Sequence, residues 1–211
     1  MAELMTDAVA QAGALAGIAL AGGESRRMGR DKAMLPIPGT AGASNAATMV
    51  EHVIGVLHQR CKPIFVMAAQ GQPIPALDSV RVMRDELRGL GPLSATARAL
   101  RAAGAAGARL AFVCAVDMPF LTVELIDDLV RRAVETNAEV VLPWDGQDHF
   151  LAAVYRTDLA ERADALVATG KRAMRDLVDV SDTQRIVVSE SRPLTNVNTE
   201  AELRALAQPG A

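Results

Sequence analysis

Short apolar runs recur along the chain with amphipathic helical patterns between them, and this alternation narrows the fold more than any other feature. Gly17-Ile-Ala-Leu-Ala21, Ile64-Phe-Val-Met67, Val80-Arg-Val-Met83 and Leu110-Ala-Phe-Val-Cys-Ala-Val116 are too short for ordinary helices and read as strands. Glu139-Val-Val-Leu142 and Phe150-Leu-Ala-Ala-Val-Tyr155 read the same way. Met49, Val50, Val53, Ile54 and Leu57 recur at helical spacing and predict a helix over 48–59; an Ala-rich composition predicts another over 93–106. Thr122 is placed to cap a third helix, whose Leu125, Ile126, Leu129, Val130 and Ala133 form one apolar face. The elements run βαββαβαβ, with helical patterns over 159–167 and 173–178, a further strand over 185–188, and a capping-box spacing, Thr199-Glu-Ala-Glu202, opening a terminal helix. Such alternation implies an α/β domain with a mostly parallel, doubly wound sheet, whose ligands gather at the carboxyl ends of its strands.

No Pro/Ser-rich or charge-biased linker divides the 211 residues, so 15–211 read as a single domain behind a frayed leader, 1–14. Aromatic residues make up only 3 %, which leaves Ala, Val and Leu to build the core. A net charge of -3, with one Trp and one Tyr, supplies neither a basic field nor stacking platforms for nucleic acid. Any phosphate chemistry is therefore local and on a small molecule. Cys61 and Cys114 lack zinc or disulfide-framework spacing and read as reduced thiols. The amino-terminal run lacks the basic start of a signal peptide, and no apolar stretch approaches the ~20 residues of a membrane span. A cytoplasmic protein is expected.

The strand-end rule puts 22–32, Asp85 and Asp117 on one edge, since each follows a predicted strand. The first of these loops lies in Leu20-Ala-Gly-Gly-Glu-Ser-Arg-Arg-Met-Gly-Arg-Asp-Lys32. It fails the Walker A template, because Gly29 is followed by Arg30, and it lacks the Gly-x-Gly-x-x-Gly turn. What remains is a glycine pair, Gly22 and Gly23, offering amides, with Arg26, Arg27, Arg30 and Lys32 close behind; such a loop suits a polyphosphate. A solvated surface turn is the bland alternative, made less attractive by the position of the charge at a strand end. Arg suits multidentate phosphate contacts, whereas Lys is a point charge able to follow charge moving onto a leaving group.

Asp117, delivered to the sheet edge by an apolar strand, suits Mg²⁺, which takes one or two protein carboxylates and keeps several waters; by spacing alone a turn or N-cap role before Pro119 is as good. Asp85 carries the same ambiguity. Gly89-Leu-Gly-Pro-Leu93 offers a rigid approach with few side chains just before a helix, suited to a flat base or to an ordinary turn. Asn196 and Asn198 alternate on one face of an extended segment and present uncharged donors and acceptors. A lone His149 or Trp144 is more often structural than a ligand.

Taken together, Leu20-Ala-Gly-Gly-x-Ser-x-Arg-Met-Gly-x-Asp-Lys32, the strand-end Asp117 and Asn196-Val-Asn-Thr199 resemble the molybdenum cofactor guanylyltransferase family over about 15–206. The resemblance implies a Rossmann-like, three-layer nucleotidyltransferase fold, and an Mg²⁺-dependent reaction in which a molybdopterin-type cofactor attacks the α-phosphate of GTP and pyrophosphate leaves. It implies that Leu20, Ala21, Gly22 and Gly23 contact the nucleotide, Arg27 and Lys32 the phosphates, Asp85 the nucleoside, and Asp117 the metal. It assigns Gly91, Pro92 and Leu93 to guanine, and Arg172, Asn196, Asn198 and His149 to the pterin side. Partners of this class would include molybdenum-insertion proteins and molybdoenzyme chaperones, met transiently.

Two departures stand out. Relatives often carry an Asn after the second strand where this chain has Val66-Met-Ala-Ala69, and His-Pro where it has His149-Phe150. The first departure predicts that one nucleotide interaction is either missing or made by backbone instead, and the second weakens the assignment of His149. The loop over 38–47 is also longer than usual. The nearest rival is the cytidylyltransferase acting on the same pterin, which commonly has Ala-Ala-Gly in place of Ala21-Gly22-Gly23. Sugar-phosphate nucleotidyltransferases are usually larger, and a non-catalytic nucleotide sensor or cofactor carrier would leave Arg27, Lys32 and Asp117 hard to motivate.

Overall fold

The computed structural model describes residues 14–22, 31–37, 47–85, 89, 91–197 and 202. The strands are β1 Leu15–Leu20, β2 Ile64–Ala69, β3 Val80–Asp85, β4 Leu110–Ala115, β5 Val140–Trp144, β6 Ala152–Arg156 and β7 Thr183–Val187. The α-helices are α1 Met49–Leu57, α2 Gly91–Ala105, α3 Val123–Thr136, α4 Leu159–Ala168 and α5 Met174–Val178, with 3-10 turns at Lys32–Met34 and Arg192–Leu194.

All seven strands join one sheet in the order β3-β2-β1-β4-β6-β5-β7. Neighbours are parallel except at β6, which runs antiparallel to both β4 and β5. The expected mostly parallel sheet is therefore present, with one reversed strand. Side chains alternate across β1: Leu15 and Ala19 enter a core with Val53, Leu57, Ile126 and Leu129, while Ala16, Ile18 and Leu20 enter a second core with Leu93, Leu100, Leu159 and Leu177. Helices α1 and α3 thus cover one face and α2, α4 and α5 the other, giving three layers. At β1 the chain steps first toward β2 and β3, then returns to place β4 on the other side, so the β1/β4 boundary is a topological switch point.

Several boundaries differ from the sequence expectation for identifiable reasons. Strand β1 starts earlier than predicted and contains Gly17 without breaking, because a Cβ there would lie 3.0 Å from Cys61 Cβ; the glycine answers close packing. Helix α1 begins one residue after Thr48, whose hydroxyl accepts from the Glu51 amide while Glu51 accepts from the Thr48 amide at 2.7 Å, a capping box not read from the sequence. The segment assigned to a loop before a helix, Gly91-Pro92-Leu93, is the first turn of α2, where proline's missing N–H costs nothing. Thr122 does cap α3, accepting from the Leu125 amide. Of the expected terminal helix, Glu202 is helical and the remainder lies outside the described residues. Among the described residues no helix is long and apolar enough to cross a membrane.

Candidate active site

The carboxyl ends of β1 and β4 lie side by side, with Leu20 opposite Ala115 and the Val116 amide donating to the Leu20 carbonyl at 3.2 Å. Two residues beyond β4, Asp117 emerges from a buried strand to 18 % side-chain exposure. Its Oδ2 lies 3.3 Å from Lys32 Nζ and its Oδ1 accepts from Asn196 Nδ2 at 3.3 Å. Three residues remote in sequence therefore meet at one carboxylate.

Each is held there by local structure. Asp31 adopts an extended backbone and its carboxylate accepts from the Ala33 amide at 3.0 Å, capping the turn that carries Lys32; Ala33 and Leu35 are buried beneath it. Asn196 is carried by an extended segment whose Val197 amide donates to the Asp117 carbonyl at 2.8 Å, with Leu194 and Val197 buried. The Arg192 guanidinium lies 4.6 Å from the centre of the Phe120 ring, so the same segment is also packed on the turn following Asp117.

The remaining predicted residues distribute along this edge. Ala21 and Gly22 both donate their amides to the Met67 carbonyl, at 2.9 and 3.1 Å. The amide of Gly22 is thus already engaged, a correction to the expectation that it faces a ligand; what this exposed glycine offers is a bare Cα beside Ala69. Asp85 ends β3 on the same edge, separated from β1 by β2. Gly91 has φ +74°, and a Cβ there would sit 2.6 Å from the Arg172 carbonyl oxygen, so only glycine fits. Arg172 donates to the Gly89 carbonyl through its guanidinium and accepts from the Leu93 amide at 3.2 Å through its backbone. Its described contacts lie with the Gly89–Leu93 region, not with Asn196. Pro92 is exposed and Leu93 is buried.

His149 lies in the β5–β6 connection, at the same edge, with Nε2 2.8 Å from Asp145 Oδ1. Hydrogen bonds from His149 and Ser191 hold the Asp145 carboxyl below its usual range against opposing burial. The neighbouring Asp148 is gripped by Arg185 at 2.7 and 2.9 Å, which fixes the connection. Gly23, Arg26, Arg27, Arg30 and Asn198 lie outside the described residues.

One residue at the edge was not anticipated. Gln72, three positions past β2, accepts from the Ala69 amide at 2.8 Å and donates to the Ala21 carbonyl at 3.0 Å and to Asp31 Oδ1 at 2.9 Å. No motif marks it. A shallow, solvent-open depression of about 480 Å³ lies at the opposite, amino edge, lined by Leu15, Arg60, Lys62, Pro63 and Arg81, away from the convergent polar strand-end groups. The topological switch point and the shared carboxylate favour the carboxyl edge. Cys61 and Cys114 are buried and free; burial pushes the Cys61 thiol up to about 12 and the Cys114 thiol higher still, leaving both protonated and unreactive near neutrality. Among the described residues no group of three or more His, Cys, Asp or Glu side chains is gathered as a self-sufficient metal site.

A switch-point sheet with a lysine and a carboxylate at its strand ends fits an α/β nucleotidyltransferase. The profile of the MobA-like NTP transferase domain matches residues 17–186, and the chain belongs to that family. It is 68 % identical over 210 residues, spanning 100 % of both chains, to a protein of Mycobacterium marinum described as a probable molybdenum cofactor guanylyltransferase. Its fold is similar to that of molybdopterin-guanine dinucleotide biosynthesis protein A from Archaeoglobus fulgidus (TM-score 0.73, 18 % identity, 90 % of this chain and 95 % of the other covered). It is also similar to 2-C-methyl-D-erythritol 4-phosphate cytidylyltransferase from Thermus thermophilus (TM-score 0.67, 17 % identity, 92 % and 97 % covered). Since guanylyl-type and cytidylyl-type proteins share this architecture, the fold alone does not select the base.

Proposed function

We propose that the chain transfers GMP from GTP to the terminal phosphate of a molybdopterin-type cofactor, releasing pyrophosphate. The observation that carries this reading is the sharing of Asp117 by Lys32 and Asn196 at the β1/β4 switch point, at 3.3 Å each. The choice of guanine is supported by the full-length likeness to a protein described as a probable molybdenum cofactor guanylyltransferase.

The attacking group, a phosphate oxygen, is already a nucleophile, so the reaction needs alignment and charge stabilisation more than a general base. A P–O bond forms to the α-phosphorus as the bond to the bridging oxygen of pyrophosphate breaks, and the electron pair leaves on pyrophosphate. Lys32, anchored beside Asp117, follows the charge that develops there, with Arg27 as a second phosphate contact. Asp117 fits a hard cation: its two long contacts are readily exchanged, and Mg²⁺ needs only one or two protein carboxylates alongside substrate oxygens. Mg²⁺ held at Asp117 would neutralise phosphate charge and orient the triphosphate. By the family likeness Leu20, Ala21, Gly22, Gly23 and Asp85 are assigned to the nucleotide, Gly91 and Pro92 to the base with the buried Leu93 as support beneath them, and Asn196, Asn198 and His149 to the pterin, whereas the packing of Arg172 against Gly89 and Leu93 favours a role beside the base segment over the pterin role. Transient contacts with molybdenum-insertion proteins and molybdoenzyme chaperones, and a cytoplasmic location, follow from the same reading.

A nucleotide panel with defined molybdopterin tests it. Pyrophosphate release is expected from GTP, dependent on Mg²⁺ and on the pterin. Equal turnover of CTP would overturn the base assignment, and binding without turnover of any nucleotide would make the chain a carrier.

A further inference from the structure

We propose that Gln72 is a positioning residue that clasps the base of the phosphate loop and thereby sets Lys32. Its carboxamide joins three chain segments, and its orientation is determined by chemistry: the Ala69 amide can only donate, so it faces Oε1 at 2.8 Å, and Nε2 must then face the acceptors, the Ala21 carbonyl at 3.0 Å and Asp31 Oδ1 at 2.9 Å. Ala21 and Asp31 flank the stretch that carries Arg26, Arg27 and Arg30. One side chain therefore ties both ends of that stretch to the end of β2.

Gln72 is itself fixed. Its amide donates to the Ala69 carbonyl at 3.1 Å, closing a turn, and Arg84 donates to the Gln72 carbonyl at 2.8 Å and to the Ala69 carbonyl at 3.1 Å. The far end of the relay is Asp31, whose Oδ1 also accepts from the Ala33 amide and caps the Lys32 turn. Two amide donors thus converge on Oδ1 of the carboxylate adjacent to Lys32 in sequence, while the lysine ammonium lies 3.3 Å from Asp117 Oδ2. Gln72 braces the loop through backbone and Asp31.

The activity part of the test rests on the guanylyl-transfer reading; the exchange part does not. In the full-length, ligand-free protein, Gln72→Leu is expected to speed hydrogen exchange over 31–35 about tenfold, as removal of a hydrogen bond to a charged group allows, with β1 and β4 core amides unchanged. Unchanged exchange over 31–35, or a uniform rise across the chain, overturns the proposal. With GTP, Mg²⁺ and molybdopterin, Gln72→Leu should lower kcat about tenfold with KM for GTP moved less than about threefold, and Gln72→Glu, which sets a second carboxylate against Asp31, should be slower than Gln72→Leu. In a Lys32→Ala background, Gln72→Leu should change turnover less than about twofold. A full tenfold loss there would mean that Gln72 acts independently of Lys32, and the clasp would fall. A wild-type chain that releases no pyrophosphate from GTP defeats the functional reading instead, and hydrogen exchange then decides the clasp alone.

Discussion

At the carboxyl edge of the sheet Asp117 is shared between two contacts of 3.3 Å, whereas toward the amino edge Asp127 and Glu139 are each gripped by two nitrogens of one arginine at 2.6 to 3.0 Å. Arg60, just ahead of β2, takes Asp127 of α3, and Arg162 of α4 takes Glu139, just ahead of β5. Both kinds of site pair opposite charges, but they differ in what is left to do. The bidentate pairs have closed geometry and hold helices to the sheet. Asp117 keeps weakly engaged oxygens at a partly buried strand end, where a cation can compete with Lys32 and Asn196 for the carboxylate and an incoming phosphate can compete with the carboxylate for Lys32. The same chemistry serves structure where its valences are filled and can serve catalysis where they are only held in place.

Breaking each kind should give opposite signatures. Asp117→Asn keeps size and one acceptor oxygen but removes the charge and the second acceptor, and is expected to lower pyrophosphate release on the order of 10³-fold, equivalent to ~4 kcal/mol of transition-state stabilisation. Thermal melting should move little, since the described side-chain contacts of Asp117 are long. Turnover within about tenfold of wild type would remove Asp117 from the metal role.

Arg60→Ala should do the reverse. It leaves Asp127, only 6 % exposed, with an unpaired buried charge and costs about 3 kcal/mol of stability, while kcat for the folded enzyme stays near wild type. Asp127→Ala should cost less, because Arg60 at 37 % exposure can turn to water. Chemical denaturation of both variants checks the order. Equal losses would show that the pair matters through packing of α3 and not through the buried charge.

The contrast also explains what could be read from the chain in advance. Strands β1 and β4 were legible because buried parallel strands are short and apolar throughout, and Asp117 stood out as a carboxylate ending such a run. The strand-end rule then brought Asp117 and the Lys32 loop together without knowledge of distances. The reversal of β6 was not legible, because a strand buried on both faces has the same pattern in either direction. Nor was Gln72, whose role depends on a turn after β2 and on Arg84 from β3, or Arg60–Asp127, a pairing made only when α3 packs. Pattern reports burial and local geometry; partners chosen by tertiary packing leave no periodic trace.

The smallest effect sharpens the comparison through pH. The Arg162 guanidinium, against opposing burial and with help from the Asp182 amide, holds the Glu139 carboxyl below the ordinary value of 4.5. Folding lowers this pKa, so the unfolded chain takes up the proton more readily. The stabilisation is therefore fully present above the ordinary glutamate range and is lost as pH falls through the depressed native value. Glu139→Gln should melt about 2 °C below wild type near pH 7, the modest scale of a half-exposed pair, and the gap should close as pH drops below 4.5. A gap that stays constant across that range would assign the effect to the shape and hydrogen bonds of the side chain, and would place Glu139 outside the charge-paired class to which Asp127 belongs.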